Sequence, residues 1–112
     1  MTREEIRIQF VIDAAEHGKA ISIGDNKKAN KLHKKLHSLY NFAKEQSQTE
    51  IFSELLNTSD ENVRLWAAIF SLKIFPDLAL KTLEELTALS SITGLTAETT
   101  LHLWREGKLN LL

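Results

Sequence analysis

Two histidines, His33 and His37, are separated by one helical turn and are the residues of this chain best spaced for metal chemistry. Two imidazoles on one helix face can bind the same zinc ion. The zinc metalloprotease pattern would require Glu directly after the first histidine, but Lys34 stands there and Lys35 follows it. Because two ammonium groups repel a divalent cation, we expect no metal here and two surface histidines beside an apolar stripe.

The remaining residue types that commonly carry catalysis form no recognisable pattern. The chain has no cysteine, no Gly-rich phosphate loop and no Gly-x-Ser-x-Gly turn. Adjacent acids such as Glu4 and Glu5 point to different sides of a helix, which does not suit a general acid and base pair. His17 and His102 are expected near helix ends or on exposed faces, without a role. We therefore expect neither an enzyme nor a cofactor.

Charge is distributed unevenly along the chain, although its formal net charge is only −1. Residues 27–44 contain six lysines and no acid, an arrangement that could contact nucleic-acid phosphates. No arginine, Gly-rich loop or exposed aromatic platform accompanies these lysines, so we expect a solvated helix face and no nucleic-acid partner. Residues 45–62 contain five acids and no base, Glu45, Glu50, Glu54, Asp60 and Glu61. These five are the candidate residues for attracting a basic partner.

Apolar spacing and capping residues place these side chains on six helices. Thr2 and Glu5 have the spacing of a capping box, and Ser59 or Asp60 can cap the fourth helix. Pro76 must interrupt the chain between the fourth and fifth helices. The first predicted helix follows Thr2 and runs to about His17, with Gly18 as its terminator. The second runs from Asp25 to about Gln48, and the third from Thr49 past Leu56. The fourth runs from Asp60 to about Phe75, the fifth from Asp77 through Leu89, and the sixth from about Thr96 to Glu106. Residues 90–94 are predicted to be a break.

The predicted fold is all-α, a six-helix α-α superhelix of helical hairpins with a C-terminal capping helix, in one domain spanning 1–112. The only β-like run, residues 20–23, is too short to build a sheet. Helices four and five are expected to form one hairpin, and helices two and three a degenerate pair. An apolar content of 43% is sufficient for a core. With no secretion signal and no apolar stretch of membrane-spanning length, we expect a cytoplasmic protein.

The fourth helix carries the pattern D-x-x-V-R-x-x-A-A, which resembles the first helix of a HEAT-type repeat. An apolar stripe at helical spacing follows the cap, namely Val63, Trp66, Ala67, Phe70 and Ile74. Trp66 is therefore expected in the core, as is Trp104 in the last helix. Arg64 is expected to reach back to Asp60. Together with the Gly-Asp-Asn-Lys-Lys-Ala-Asn-Lys-Leu block at 24–32 and the Trp-Arg-Glu-Gly block at 104–107, this stretch resembles a small bacterial family of HEAT-like α-helical domains.

Members of such families look like immunity proteins of bacterial toxin systems, including contact-dependent growth inhibition. The resemblance implies a protein that binds a cognate toxin domain, for which a nuclease is the expected activity, and covers its active site. It supplies no catalytic residue. The alternatives are a HEAT-like scaffold for another cytoplasmic protein, and a helical domain that binds nucleic acid through the lysine-rich helix.

Overall fold

Six α-helices make up residues 1–109, the part of the chain that the computed structural model describes. They are α1 (Arg3–Ser22), α2 (Asn26–Glu45), α3 (Glu50–Glu54), α4 (Glu61–Ser71), α5 (Pro76–Leu86) and α6 (Ile92–Arg105). No strand occurs in these residues, which confirms the all-α prediction. The last three residues of the predicted domain, 110–112, lie outside the described range. None of the six helices is long and apolar enough to cross a bilayer.

Side-chain caps start most of these helices, as the sequence predicted at several positions. Thr2 and Glu5 form a reciprocal capping box at the start of α1. The Asp25 carboxylate accepts a hydrogen bond from the backbone N–H of Lys28, and that of Asp60 accepts from two backbone N–H groups at the start of α4. These acceptors satisfy N–H groups that have no partner within their helix.

Several predicted helix ends were wrong. Gly18 does not terminate α1, which continues for one more turn through the β-like run to Ser22. The left-handed glycine that follows α1 is instead Gly24, which has a φ of +74° in the turn before α2. In the predicted break at 90–94, Ser91 caps α6, and residues 92–94 form its first turn. Pro76 is the first residue of α5, where its missing N–H costs nothing, so Asp77 lies inside the helix rather than capping it.

The helices pack as pairs in chain order, with α1 against α2, α4 against α5, and α5 against α6. The predicted pair of helices two and three was wrong, because α2 packs along α1 while the five-residue α3 lies against α4. Both α1 and α2 are 20 residues long, so they can bury matching faces over their whole length. Helix α4 contacts α1, α3, α5 and α6, and α1 likewise contacts four other helices, so these two helices join the rest of the domain.

Aromatic rings fill the middle of the core. The Phe70 ring centroid lies 4.6 Å from that of Tyr40 and 5.2 Å from that of Phe52, and Phe52 in turn packs 5.0 Å from Phe10. Ala67 and Ala68 of α4 are completely buried, and their small side chains let neighbouring helices approach closely. Trp66 is buried as expected, whereas Trp104 is only half-buried and Leu89 is exposed.

Candidate binding groove

An open groove runs between α2 and α6, with α4 as its floor. Its volume is about 800 Å³, which is within the range of small-molecule sites. A smaller cleft of about 150 Å³ adjoins it and shares His17, Trp66 and Thr96. The groove is defined by His33, Lys34 and His37 on the α2 wall, Trp66 and Ile69 on the floor, and Thr96 and Thr100 on the α6 wall.

His17 is buried within α1 and lines the groove, so the prediction that it lies near a helix end or on an exposed face was wrong. Its Nδ1 atom lies 3.2 Å from the Asn62 amide nitrogen and 3.3 Å from the Trp66 indole nitrogen. The indole N–H and the amide NH₂ are both donors, so Nδ1 must accept, and His17 must be neutral with its proton on Nε2. The Asn62 amide nitrogen also donates to the Ala14 carbonyl at 2.7 Å, which joins α4 to α1.

His33 and His37 both line the groove, and both pack against the indole ring of Trp66. Their ring centroids are 4.5 Å apart, and each ring also packs edge-on against Trp66, at 5.3 and 5.7 Å respectively. His33 is exposed on the groove wall and His37 is half-buried. No group of three His, Asp or Glu side chains in residues 1–109 is placed to hold a metal ion.

The three imidazoles have altered proton affinities. Burial lowers the pKa of His17, His33 and His37 below the usual value, because a charged ring loses hydration in the cluster. A charge on His33 would further lower the pKa of His17 and of His37. The groove therefore presents neutral imidazoles at pH 7.

Because these folded-state pKa values are lowered, the unfolded chain binds more protons once the pH falls below about 6.5. The stabilisation is complete above that pH and is lost as the pH falls toward the folded-state values, with a slope of at most about 1.4 kcal/mol per pH unit for each histidine. Urea unfolding between pH 7.5 and 5 measures this loss. The His17→Gln variant should show a shallower dependence than the wild type, because it removes one buried imidazole of the cluster. An unchanged slope in His17→Gln would contradict this assignment.

The lysines of α2 fall into two groups. Lys28 and Lys35 form ion pairs with α1, to Glu16 at 3.3 Å and to the buried Asp13 at 3.4 Å. Lys27, Lys31, Lys34 and Lys44 have no acidic partner within ion-pair distance in the described chain. Of these, Lys34 lines the groove, and none of the groove-lining residues among 1–109 is acidic.

The five candidate acids follow one another along the chain from the end of α2 to the start of α4. We call these five residues, within 45–61, the acidic edge. Glu45 ends α2, and Glu50 and Glu54 begin and end α3. Glu54 forms an ion pair with Arg3 of α1, and Asp60 is occupied as the cap of α4. Glu61 is half-buried beside His17 in the cleft adjoining the groove.

The sequence predicted that Arg64 reaches back to Asp60, and this prediction was wrong. Its Nε donates to the Leu56 carbonyl at 2.8 Å, and its guanidinium lies 3.9 Å from Glu85 of α5. The arginine therefore joins the turn after α3 to the α4–α5 hairpin.

Two residues important for the groove, His17 and Asn62, were not identified from the sequence. His17 lies at helical spacing from the buried Phe10 and Ala14, a signal that could have indicated its burial.

No protein-family model and no curated protein matches this chain. Among solved structures, it resembles the crystal structure of the protein RPA1889 from Rhodopseudomonas palustris CGA009 with a TM-score of 0.88. The match covers 98% of this chain and 93% of that one, at 21% sequence identity. At this identity the similarity establishes the all-helical fold that the two chains share.

Proposed function

We propose that this chain is a cytoplasmic immunity protein, which binds a cognate bacterial toxin domain and blocks its active site without catalysing a reaction. The family resemblance in residues 24–32, 63–68 and 103–109 motivates the choice of partner. The observation that carries the proposal is the acidic edge, where Glu45, Glu50 and Glu61 have no ion-pair partner in the described chain.

The chemistry of the expected partner suits such an edge. A nuclease binds phosphates in a cleft that must be basic, so carboxylates held on a rigid scaffold compete for the same positive groups. The ion pair between Glu54 and Arg3 and the cap formed by Asp60 hold the edge in place. We therefore assign direct contact to the exposed Glu45 and Glu50, and support of the surface to Glu54 and Asp60. Glu61, which is half-buried beside the end of α1, is assigned to one end of the interface.

The charge reversal Glu50→Lys should slow association with the toxin domain about tenfold at low salt, since it removes attraction and adds repulsion. The toxin domain encoded beside this gene is the partner to test, by stopped-flow or surface plasmon resonance at several salt concentrations. The matched control is Glu98→Lys, which makes the same charge change at an exposed position of α6.

Equal association rates for the two variants would reject the acidic edge as the interface. Failure of the wild-type protein to bind or inhibit any neighbouring toxin would overturn the immunity function. A scaffold for another cytoplasmic protein would then be the leading alternative. Retardation of DNA or RNA in a gel at low salt, lost in Lys31→Glu, would instead favour the lysine-rich helix as a nucleic-acid surface.

A further inference from the structure

We propose that the groove between α2 and α6 is a second binding site, separate from the acidic edge, and that it takes a small aromatic anion. This inference does not depend on the toxin-binding function, since none of the five residues of the acidic edge lines the groove. It rests on the shape of the groove, on the aromatic character of one wall and the floor, and on the charge of its rim.

The groove has the size and the lining of a small-molecule site. Its volume of about 800 Å³ is large enough for a ligand of two or three fused or linked rings. Trp66 and Ile69 provide an apolar floor, and the rings of His33 and His37 form an aromatic wall. A planar aromatic ligand can pack against these surfaces in stacked or edge-on geometry.

The opposite wall presents apolar surface as well. The hydroxyls of Thr96 and Thr100 each donate to a carbonyl of their own helix, at 2.9 and 2.7 Å, so neither needs a further acceptor. The polar side of the groove is therefore the α2 wall, where Ser38 and Asn41 lie beside Lys34.

Charge complementarity selects an anion. No acid lines the groove in the described chain, and the Lys34 ammonium on its rim has no ion-pair partner there. The His37 Nδ1 atom is enclosed and has no hydrogen-bond partner. An enclosed acceptor without a partner is tolerated better than an enclosed donor, so the proton of His37 is assigned to Nε2. His37 and Lys34 are then both donors, and an acidic group attached to the aromatic ring satisfies them.

The dye 8-anilinonaphthalene-1-sulfonate, an aromatic anion of suitable size, tests this site directly. We expect one molecule to bind per chain with increased fluorescence, and the indole N–H signal of Trp66 to shift in NMR spectra while that of Trp104 does not. Lys34→Glu should weaken binding about tenfold through loss of the opposite charge. Lys31→Glu, which reverses an equally unpaired lysine on the same helix outside the groove, should change it less than about twofold.

N-phenyl-1-naphthylamine has the same rings without the sulfonate, and its affinity should be equal in wild type and Lys34→Glu. The proposal is overturned if the sulfonate dye does not bind the native protein, if the shifted signals lie outside the groove, or if Lys31→Glu and Lys34→Glu weaken binding equally. Displacement of the dye by acetyl-Glu-Phe-Glu-amide at equal concentration would also overturn it, and would identify a peptide segment as the occupant.

Discussion

Replacing Phe70 by alanine is expected to lower the free energy of unfolding by about 3–5 kcal/mol, the range measured for buried Phe→Ala substitutions. Phe70 is completely buried in α4, which contacts four of the other five helices. Its ring packs against five other rings, at centroid distances from 4.6 to 6.0 Å: Phe10, His37, Tyr40, Phe52 and Trp66. The cavity left by the truncation would border four helices, which cannot all move inward to fill it.

Urea unfolding followed by circular dichroism measures this loss. The matched control is Phe75→Ala, the same substitution at a residue that is 37% exposed in the turn before α5. We expect Phe75→Ala to cost less than about 2 kcal/mol, because part of its ring already lies in water and its removal leaves no enclosed cavity. Comparable losses in the two variants would show that Phe70 is not at the centre of the core.

The position of Phe70 could be predicted from sequence because its burial follows from local periodicity. Val63, Trp66, Ala67 and Phe70 recur at helical spacing after the cap at Asp60, and all four are buried. Such patterns depend on residues three or four positions apart, so they can be recognised without knowledge of the fold. The helices therefore followed from the sequence, including their number.

Helix ends were less predictable where long-range packing decides them. Gly18 resembles a helix terminator in its local sequence, yet α1 passes through it. A Cβ atom at this position would lie 2.9 Å from the Asn62 Cβ, so glycine here permits the close approach of α4. That requirement comes from a residue 44 positions away in sequence, and no local pattern contains it.

The groove likewise could not be predicted from local sequence patterns. The spacing of His33 and His37 was evident, but their role depends on Trp66 and on His17, whose Nδ1 partners lie 45 and 49 residues away. The lysines of α2 likewise separate into paired and unpaired residues only when α1 is placed beside them. The sequence could identify the charged segments, whereas the placement of one lysine on a groove required the tertiary structure.

The two proposed surfaces have opposite electrostatic character. The acidic edge presents carboxylates from the end of α2 to the start of α4, and the groove presents imidazoles and an ammonium group. Glu61 is the residue closest to both, since it begins α4 and lines the cleft that adjoins the groove. A ligand in the groove would therefore lie near one end of the proposed partner interface, and each surface can be altered by substitutions that leave the other unchanged.

Replacing Gly94 by alanine is expected to destabilise the protein by at least about 3 kcal/mol, although alanine is favoured over glycine inside helices by about 1 kcal/mol. Gly94 is buried in the first turn of α6, and its backbone N–H faces the capping Ser91 hydroxyl at 3.4 Å. A Cβ atom there would lie 2.1 Å from the Leu89 carbonyl oxygen and 3.2 Å from that of Leu86. Both obstacles are backbone atoms at the end of α5 and in the following turn, so relief requires α6 to move away from α5.

Thermal and urea unfolding of Gly94→Ala beside Gly107→Ala separates this clash from the general cost of losing a glycine. Gly107 has φ of +69° and no atom within 4 Å of an added Cβ, so its replacement should cost only about 1 kcal/mol from backbone strain. Displacement of α6 would also move Thr96 and Thr100 away from the groove floor, so any Gly94→Ala protein that folds should bind the sulfonate dye more weakly. A Gly94→Ala variant as stable as the wild type would contradict the packing of α5 against α6, and with it the α6 wall of the groove.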